Sequence, residues 1–178
     1  EVRRLKAMGL EPIPKVNFSA SHHQWLKEYG RMVATKTYYR VCSDILKDVS
    51  EIFETPRFIH LGFDEEKLES QRNHLMVVCR RNELWWHDFL WFVKTAEKYG
   101  MQSWIWTDCN RKHPEAFYKR MPKDVIQSNW YYGKNFTGEA EPKDMKDSEK
   151  KRLQYFIDFD KAGFRQIPCG SNWYRDGN

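Results

Sequence analysis

Phe58-Ile59-His60-Leu61-Gly62-Phe63-Asp64-Glu65 decides the fold, because a run of β-forming residues ends there on two adjacent carboxylates. Neighbours along a strand point to opposite faces. Where the chain turns over a strand end, both acids can be brought to one pocket. The run is nearly continuously apolar before the acids, as expected of a strand buried on both faces of a parallel sheet.

Helical patterns flank it on both sides. From Thr37 to Phe53, apolar residues recur every three or four positions, among them Tyr38, Val41, Cys42, Ile45, Leu46 and Val49. Arg40, Asp44, Lys47 and Asp48 take the opposite face, which predicts an amphipathic helix. Asn82 to Tyr99 repeats the pattern with Trp85, Phe89, Phe92 and Ala96, and Gly100 is placed to end it as a left-handed cap. Ser148 to Ala162, followed by Gly163, predicts a third helix, Pro114 to Met121 a shorter one, and Glu1 to Gly9 the end of another. Leu10 to Asn17, Gln102 to Thr107, Val125 to Trp130 and Phe164 to Ser171 predict further strands.

Five strands alternating with helices imply βαβ units and a parallel sheet. Turns from helix to strand are short, whereas the connections after strands are long, at about Phe18 to Lys36, Asp64 to Arg81 and Tyr131 to Asp147. Long loops at the carboxyl ends of parallel strands are where βα folds build their sites. The expected fold is therefore a (β/α)8 TIM barrel. Such barrels usually need about 200 residues or more. With five strands in 178 residues, the chain is expected to be an internal fragment, residues 1–178 forming part of one catalytic domain without its first and last strands. Taken alone, such a piece would expose two sheet edges and half a barrel core, and is expected to aggregate.

Composition narrows the function. Apolar residues make up 40% and charged residues 31%, which places the chain among globular proteins rather than disordered ones. Lysine plus arginine exceed aspartate plus glutamate by 30 − 25 = 5, and the excess is spread along the chain. Nucleic-acid binding normally needs a clustered basic face, so it is not expected. No stretch approaches the roughly 18 uninterrupted apolar residues of a membrane span. Cys42, Cys79, Cys109 and Cys169 lie 30 or more residues apart, without metal-ligand spacing, and are expected to be buried or partly buried thiols. Neither a phosphate loop nor an H-E-x-x-H helix occurs, and no metal or cofactor is expected. Asn17-Phe18-Ser19 and Asn135-Phe136-Thr137 are formal glycosylation sequons, and His87-Asp88 and His113-Pro114 read as surface or helix-start residues.

Asp64 and Glu65 are the candidate chemical pair, since two carboxylates in differing environments can serve as proton donor and anion. Strand ends rich in aromatics accompany them: Trp104, expected in the core, then Trp106, Trp130 and Trp173. Sugar rings present apolar C–H faces to aromatic planes while their hydroxyls seek polar partners. Together the two features read as glycosidase equipment.

At these residues the chain resembles the family 20 glycoside hydrolases, which include the β-N-acetylhexosaminidases. Their fourth strand ends in His-x-Gly-Gly-Asp-Glu, matched by His60 to Glu65 with Phe63 in place of the second glycine. Asn172 to Asp176 is similar to the family's Trp-Tyr-x-Asp segment, while Trp104 to Asp108 and Val125 to Trp130 are similar in order and type to its fifth and sixth strands. The resemblance implies that Asp64 orients the substrate's 2-acetamido group and Glu65 is the acid/base, with His60 supporting both. It further implies that Trp106, Trp130, Trp173, Tyr174 and Asp176 bind the sugar and that His22 or His23 supplies a substrate histidine. The implied reaction is retaining exo-hydrolysis of terminal β-linked N-acetylhexosamine from a glycan or glycoconjugate, without a cofactor. The implied setting is secreted, periplasmic or lumenal. Phe63 is expected to narrow or reshape the pocket. Two alternatives stand beside this: a glycosidase with a carboxylate nucleophile, Asp108 or Asp176, about 5 to 5.5 Å from Glu65, and a barrel that binds carbohydrate without turnover.

Overall fold

The computed structural model describes residues 1–133 and 146–170. Among these residues six α-helices and three strands follow one another: α1 (Val2–Ala7), α2 (Lys36–Ile52), β1 (Phe58–Gly62), α3 (Asn82–Lys98), β2 (Gln102–Trp106), α4 (Asp108–Lys112), α5 (Pro114–Arg120), β3 (Ile126–Ser128) and α6 (Asp147–Lys161). Two 3-10 segments, His23–Arg31 and Glu69–Gln71, lie in the connections before α2 and α3.

The strands form one parallel sheet in the order β1-β2-β3. This corrects the expectation of a TIM barrel, and of a five-strand piece of one: no closed barrel forms among the described residues, and the sheet has three strands. The outer two expected strands are reduced to isolated bridges, Lys15 to His60 on one side and Gln127 to Gln166 and Trp130 to Cys169 on the other. Proline gives the physical reason. In Leu10 to Asn17, Pro12 and Pro14 have no N–H to donate, so Pro14 contributes only its carbonyl, to the His60 N–H at 2.9 Å. Pro168 interrupts Phe164 to Cys169 in the same way, leaving Ile167 and Cys169 to bond the carbonyls of Gln127 and Asn129.

The helices form where the apolar spacing places them. Thr35 caps α2, its hydroxyl accepting from the Tyr38 N–H at 3.2 Å. Gly100, at φ 78°, turns the chain out of α3 and lets Met101 N–H bond Ala96 O at 3.0 Å. One face of the sheet, carrying Ile59, Leu61 and Ile105, is buried with Tyr38, Cys42 and Leu46 of α2 and Phe89, Phe92 and Ala96 of α3. Phe92 is a centre of this core, its ring 4.3 Å from Phe18, 5.6 Å from Phe63 and 6.1 Å from Tyr38. A second aromatic group, Phe117, Phe159 and Phe164, joins α5 to α6. The other face of the sheet carries His60, Trp104 and Trp106, with Lys15 over the Trp106 ring.

The β1 end departs from a regular strand. His60 pairs with Trp104, but the next partners are Gly62 and Ile105, so Leu61 is an extra residue in the ladder. Gly62 (φ 79°) and Phe63 (φ 65°) then take left-handed backbone. A Cβ on Gly62 would lie 2.9 Å from Asn17 Cα, so only glycine permits this approach of two chains. The chain is thereby turned abruptly just ahead of Asp64.

Candidate active site

Asp64 and Glu65 stand on the turn after β1 and meet the Asn17 to His23 segment. Asn17 Nδ2 donates to Asp64 Oδ1 at 2.7 Å. His22 Nε2 lies 3.4 Å from Asp64 Oδ2 and 3.6 Å from Glu65 Oε2, so one imidazole nitrogen faces both acids. Asp64 is mostly covered, whereas half of the Glu65 side chain remains open to solvent.

Hydroxyls hold the backbone beneath these side chains. Ser19 Oγ donates to the Asp64 carbonyl and Ser21 Oγ to the Glu65 carbonyl. Asn17 Oδ1 accepts from the Ser19 N–H at 3.0 Å, which closes a small turn and fixes the amide so that its nitrogen faces Asp64. Alternation in Asn17-x-Ser19-x-Ser21 thus serves a purpose that the sequence reading did not find.

Glu66, the third acid in the run, has the opposite environment. Its carboxylate is buried and receives Arg80 Nε at 2.9 Å, an Arg80 terminal nitrogen at 2.6 Å, and the N–H groups of Ala20 and Arg80. Burial alone would raise its pKa; the Arg80 charge and these hydrogen bonds overcome that and hold it below the ordinary value. Arg80, buried as well, also donates to Phe18 O at 2.7 Å and lies 3.4 Å from Asp88, which Tyr39 supports through its hydroxyl. Asp88 is completely buried, which corrects its reading as a surface residue; His87 beside it is exposed. A run of three acids followed by Arg80-Arg81 was the available signal, since a carboxylate buried at a strand end needs a cation.

His60 lies behind the pair. It is buried between Trp104 and Trp106, ring centroids 5.2 and 4.9 Å away, and its Nδ1 accepts the Gly62 N–H at 3.0 Å. Burial, and then the Lys15 charge, push its pKa down to about 3, so the imidazole is neutral. It supports the strand end rather than carrying charge. Trp104, expected in the core, is only half-buried, and its indole donates to Ser128 Oγ at 2.7 Å. Trp106 is half-buried on the same face.

Trp130 follows β3, stacks on Tyr132 at 4.9 Å, and donates to Asp108 Oδ2 at 3.4 Å while the Arg152 guanidinium covers its ring. His23 is turned away from the acids and buried, its pKa lowered to about 4 by burial and then by Arg80, so His22 is the histidine at the site. The Phe63 ring is also turned away. It sits in the core at 5.2 Å from Phe89 and 5.7 Å from Trp85, not over the acids, so its bulk is spent on packing. Trp173, Tyr174, Asp176 and the sequon at Asn135 lie outside the described residues.

Burial pushes the thiols of Cys42 and Cys109 up to about 12, so neither is a ready nucleophile. Among the described residues, no three metal-binding side chains gather, and no helix is long and apolar enough to cross a membrane.

The chain matches no family profile and no curated protein. Its fold is similar to part of a solved structure, a GH20 exo β-N-acetylglucosaminidase from Vibrio harveyi in complex with N-acetylglucosamine. The TM-score is 0.58 at 12% sequence identity, over 94% of this chain and 27% of the other. The chain thus spans about a quarter of that enzyme's length, and what the two are shown to share is a fold.

Proposed function

We propose that the chain carries the acid pair of a glycoside hydrolase that cleaves terminal β-linked N-acetylhexosamine by substrate-assisted catalysis. The observation that carries this reading is the approach of Asp64 and Glu65 to one His22 nitrogen, which puts two carboxylates of unequal exposure at one strand end. Fold likeness to a β-N-acetylglucosaminidase and the His60 to Glu65 motif support it further.

In this reaction Asp64, held by Asn17, accepts the acetamido N–H and orients the carbonyl oxygen toward the anomeric carbon. That oxygen forms a bond to the carbon as the glycosidic bond breaks, and protonated Glu65 gives its proton to the leaving oxygen. The oxazolinium formed is then opened by water, whose proton returns to Glu65, and configuration is retained. No enzyme carboxylate bonds the sugar, which sets this scheme apart from the two-carboxylate one. Trp106 and Trp130, with Trp173, Tyr174 and Asp176, supply the aromatic and polar contacts to the sugar.

The test is hydrolysis of an aryl N-acetyl-β-glucosaminide beside the matching aryl β-glucoside, by the intact protein and its Glu65→Gln variant. Turnover of the acetamido substrate alone, lost in the variant, is expected. Hydrolysis of the plain glucoside would replace this reading with a carboxylate nucleophile, and binding without turnover would replace it with a silent carbohydrate-binding protein.

A further inference from the structure

Glu65 has φ 50°, in the left-handed region where a Cβ crowds the following carbonyl oxygen. Such a conformation persists only where its surroundings impose it. Ser19 and Ser21, both buried, hold the carbonyls of Asp64 and Glu65 through neutral hydroxyls that also accept the N–H groups of Ser21 and Lys67. The strong anchor is one residue on. Glu66 is drawn inward by a two-pronged Arg80 contact and by the Ala20 N–H, while Arg80 is itself fixed to Phe18 O and Asp88. Phe18 and Ala20 belong to the segment that carries Asn17 and His22. Arg80 therefore ties both halves of the acid site to one buried cation.

We propose that Glu66 and Arg80 are positioning residues that hold Glu65 in its left-handed conformation, with its carboxylate turned out toward His22. The inference rests on the reading of Glu65 as the acid/base. Both side chains are buried, and the role assigned to them is exerted through the backbone of the Asp64 to Glu66 turn.

Glu66→Gln keeps the shape and removes the charge that Arg80 grips. In the intact protein this variant is expected to lower kcat on the aryl N-acetyl-β-glucosaminide by about 10- to 100-fold, the scale of a misplaced catalytic group, with KM changed less than about two-fold. Arg80→Lys, which keeps a cation but loses the fork, should fall between. Phe159→Leu, a destabilising change remote from these loops, serves as the stability control and should leave kcat within about two-fold. The three-bond HN–Hα coupling of Glu65, which reports φ, is measured in parallel and is independent of turnover. It should move in Glu66→Gln and stay unchanged in Phe159→Leu. An unmoved coupling in Glu66→Gln overturns the inference whatever the enzyme does, as does a kcat equal to wild type. A moved coupling in a protein that hydrolyses no acetamido substrate would refute the proposed activity and leave the backbone anchor standing. Should Glu66→Gln fail to fold, the coupling in Arg80→Lys decides.

Discussion

Asn17 donates a 2.7 Å hydrogen bond to Asp64 across 47 residues of chain. An amide and a carboxylate from two separate loops are thus one unit, and Asp64 has a fixed direction before any substrate arrives. A hydrogen bond to a charged group contributes about 1.5 to 3 kcal/mol. Asn17→Ala is expected to free Asp64 and reduce kcat on the acetamido substrate about ten-fold or more, with KM changed less. Steady-state kinetics on the aryl N-acetyl-β-glucosaminide check this; a kcat equal to wild type would show that Asn17 does not position Asp64.

Gly62 and Asn17 also fit only because Gly62 has no side chain. Its φ of 79° and a would-be Cβ 2.9 Å from Asn17 Cα both exclude other residues. Gly62→Ala should lose at least about 1 to 2 kcal/mol from the left-handed backbone alone, with the displaced Asn17 adding to it. Urea unfolding measures the loss, and a variant as stable as wild type would show that the turn is easily rebuilt.

Much of this was legible in the sequence. Apolar spacing gave α2 and α3 to within a residue or two, because each buries a series of residues along one face; α5 and α6, where Phe117 and Phe159 are the buried residues, were legible to the same margin. The β1 stretch was legible from its β-forming run, and Asp64, Glu65 and His22 do meet. The barrel was not legible correctly, because β-propensity in Leu10 to Asn17 and Phe164 to Cys169 hid the missing donors at Pro12, Pro14 and Pro168. Asp88 was misread although it stands three residues after Trp85 and four before Phe92, on the buried stripe of α3; only the distant Arg80 and Tyr39 explain a charge there. Glu66 and Arg80 lie 14 residues apart across an irregular loop, where no periodicity operates.

Phe63 is a case in which one substitution has two opposed effects. Its left-handed φ of 65° favours glycine, while its ring fills a site among Trp85, Phe89 and Phe92 with the Arg80 guanidinium 5.1 Å away. Removing a buried Phe costs about 3 to 5 kcal/mol, and glycine at positive φ recovers about 1 to 2. Phe63→Gly should therefore be destabilised by about 1 to 4 kcal/mol. Because the ring is turned away from the acids, the ratio of turnover between N-acetylglucosaminide and N-acetylgalactosaminide should be unchanged. A shift in that ratio would show that Phe63 shapes the sugar pocket after all.

His60 makes stability depend on pH with a definite sign. Its pKa is about 3 in the folded protein, lowered by burial and Lys15, against 6.5 for the free side chain. Above pH 6.5 the imidazole is neutral folded or unfolded and adds no pH dependence. Between pH 6.5 and about 3 the unfolded chain takes up a proton that the folded one refuses, so stability falls as pH falls, by up to about 1.4 kcal/mol per unit. His60→Gln keeps an acceptor for the Gly62 N–H but cannot titrate. Its loss of stability from pH 7 to pH 5 should be smaller than wild type's by about 1 to 2 kcal/mol, with the remainder carried by groups such as His23, whose pKa of about 4 has the same sign. Urea midpoints at the two pH values decide it. Equal losses in the two proteins would mean that His60 takes up its proton in the folded state, with water or a counter-charge reaching the ring between Trp104 and Trp106.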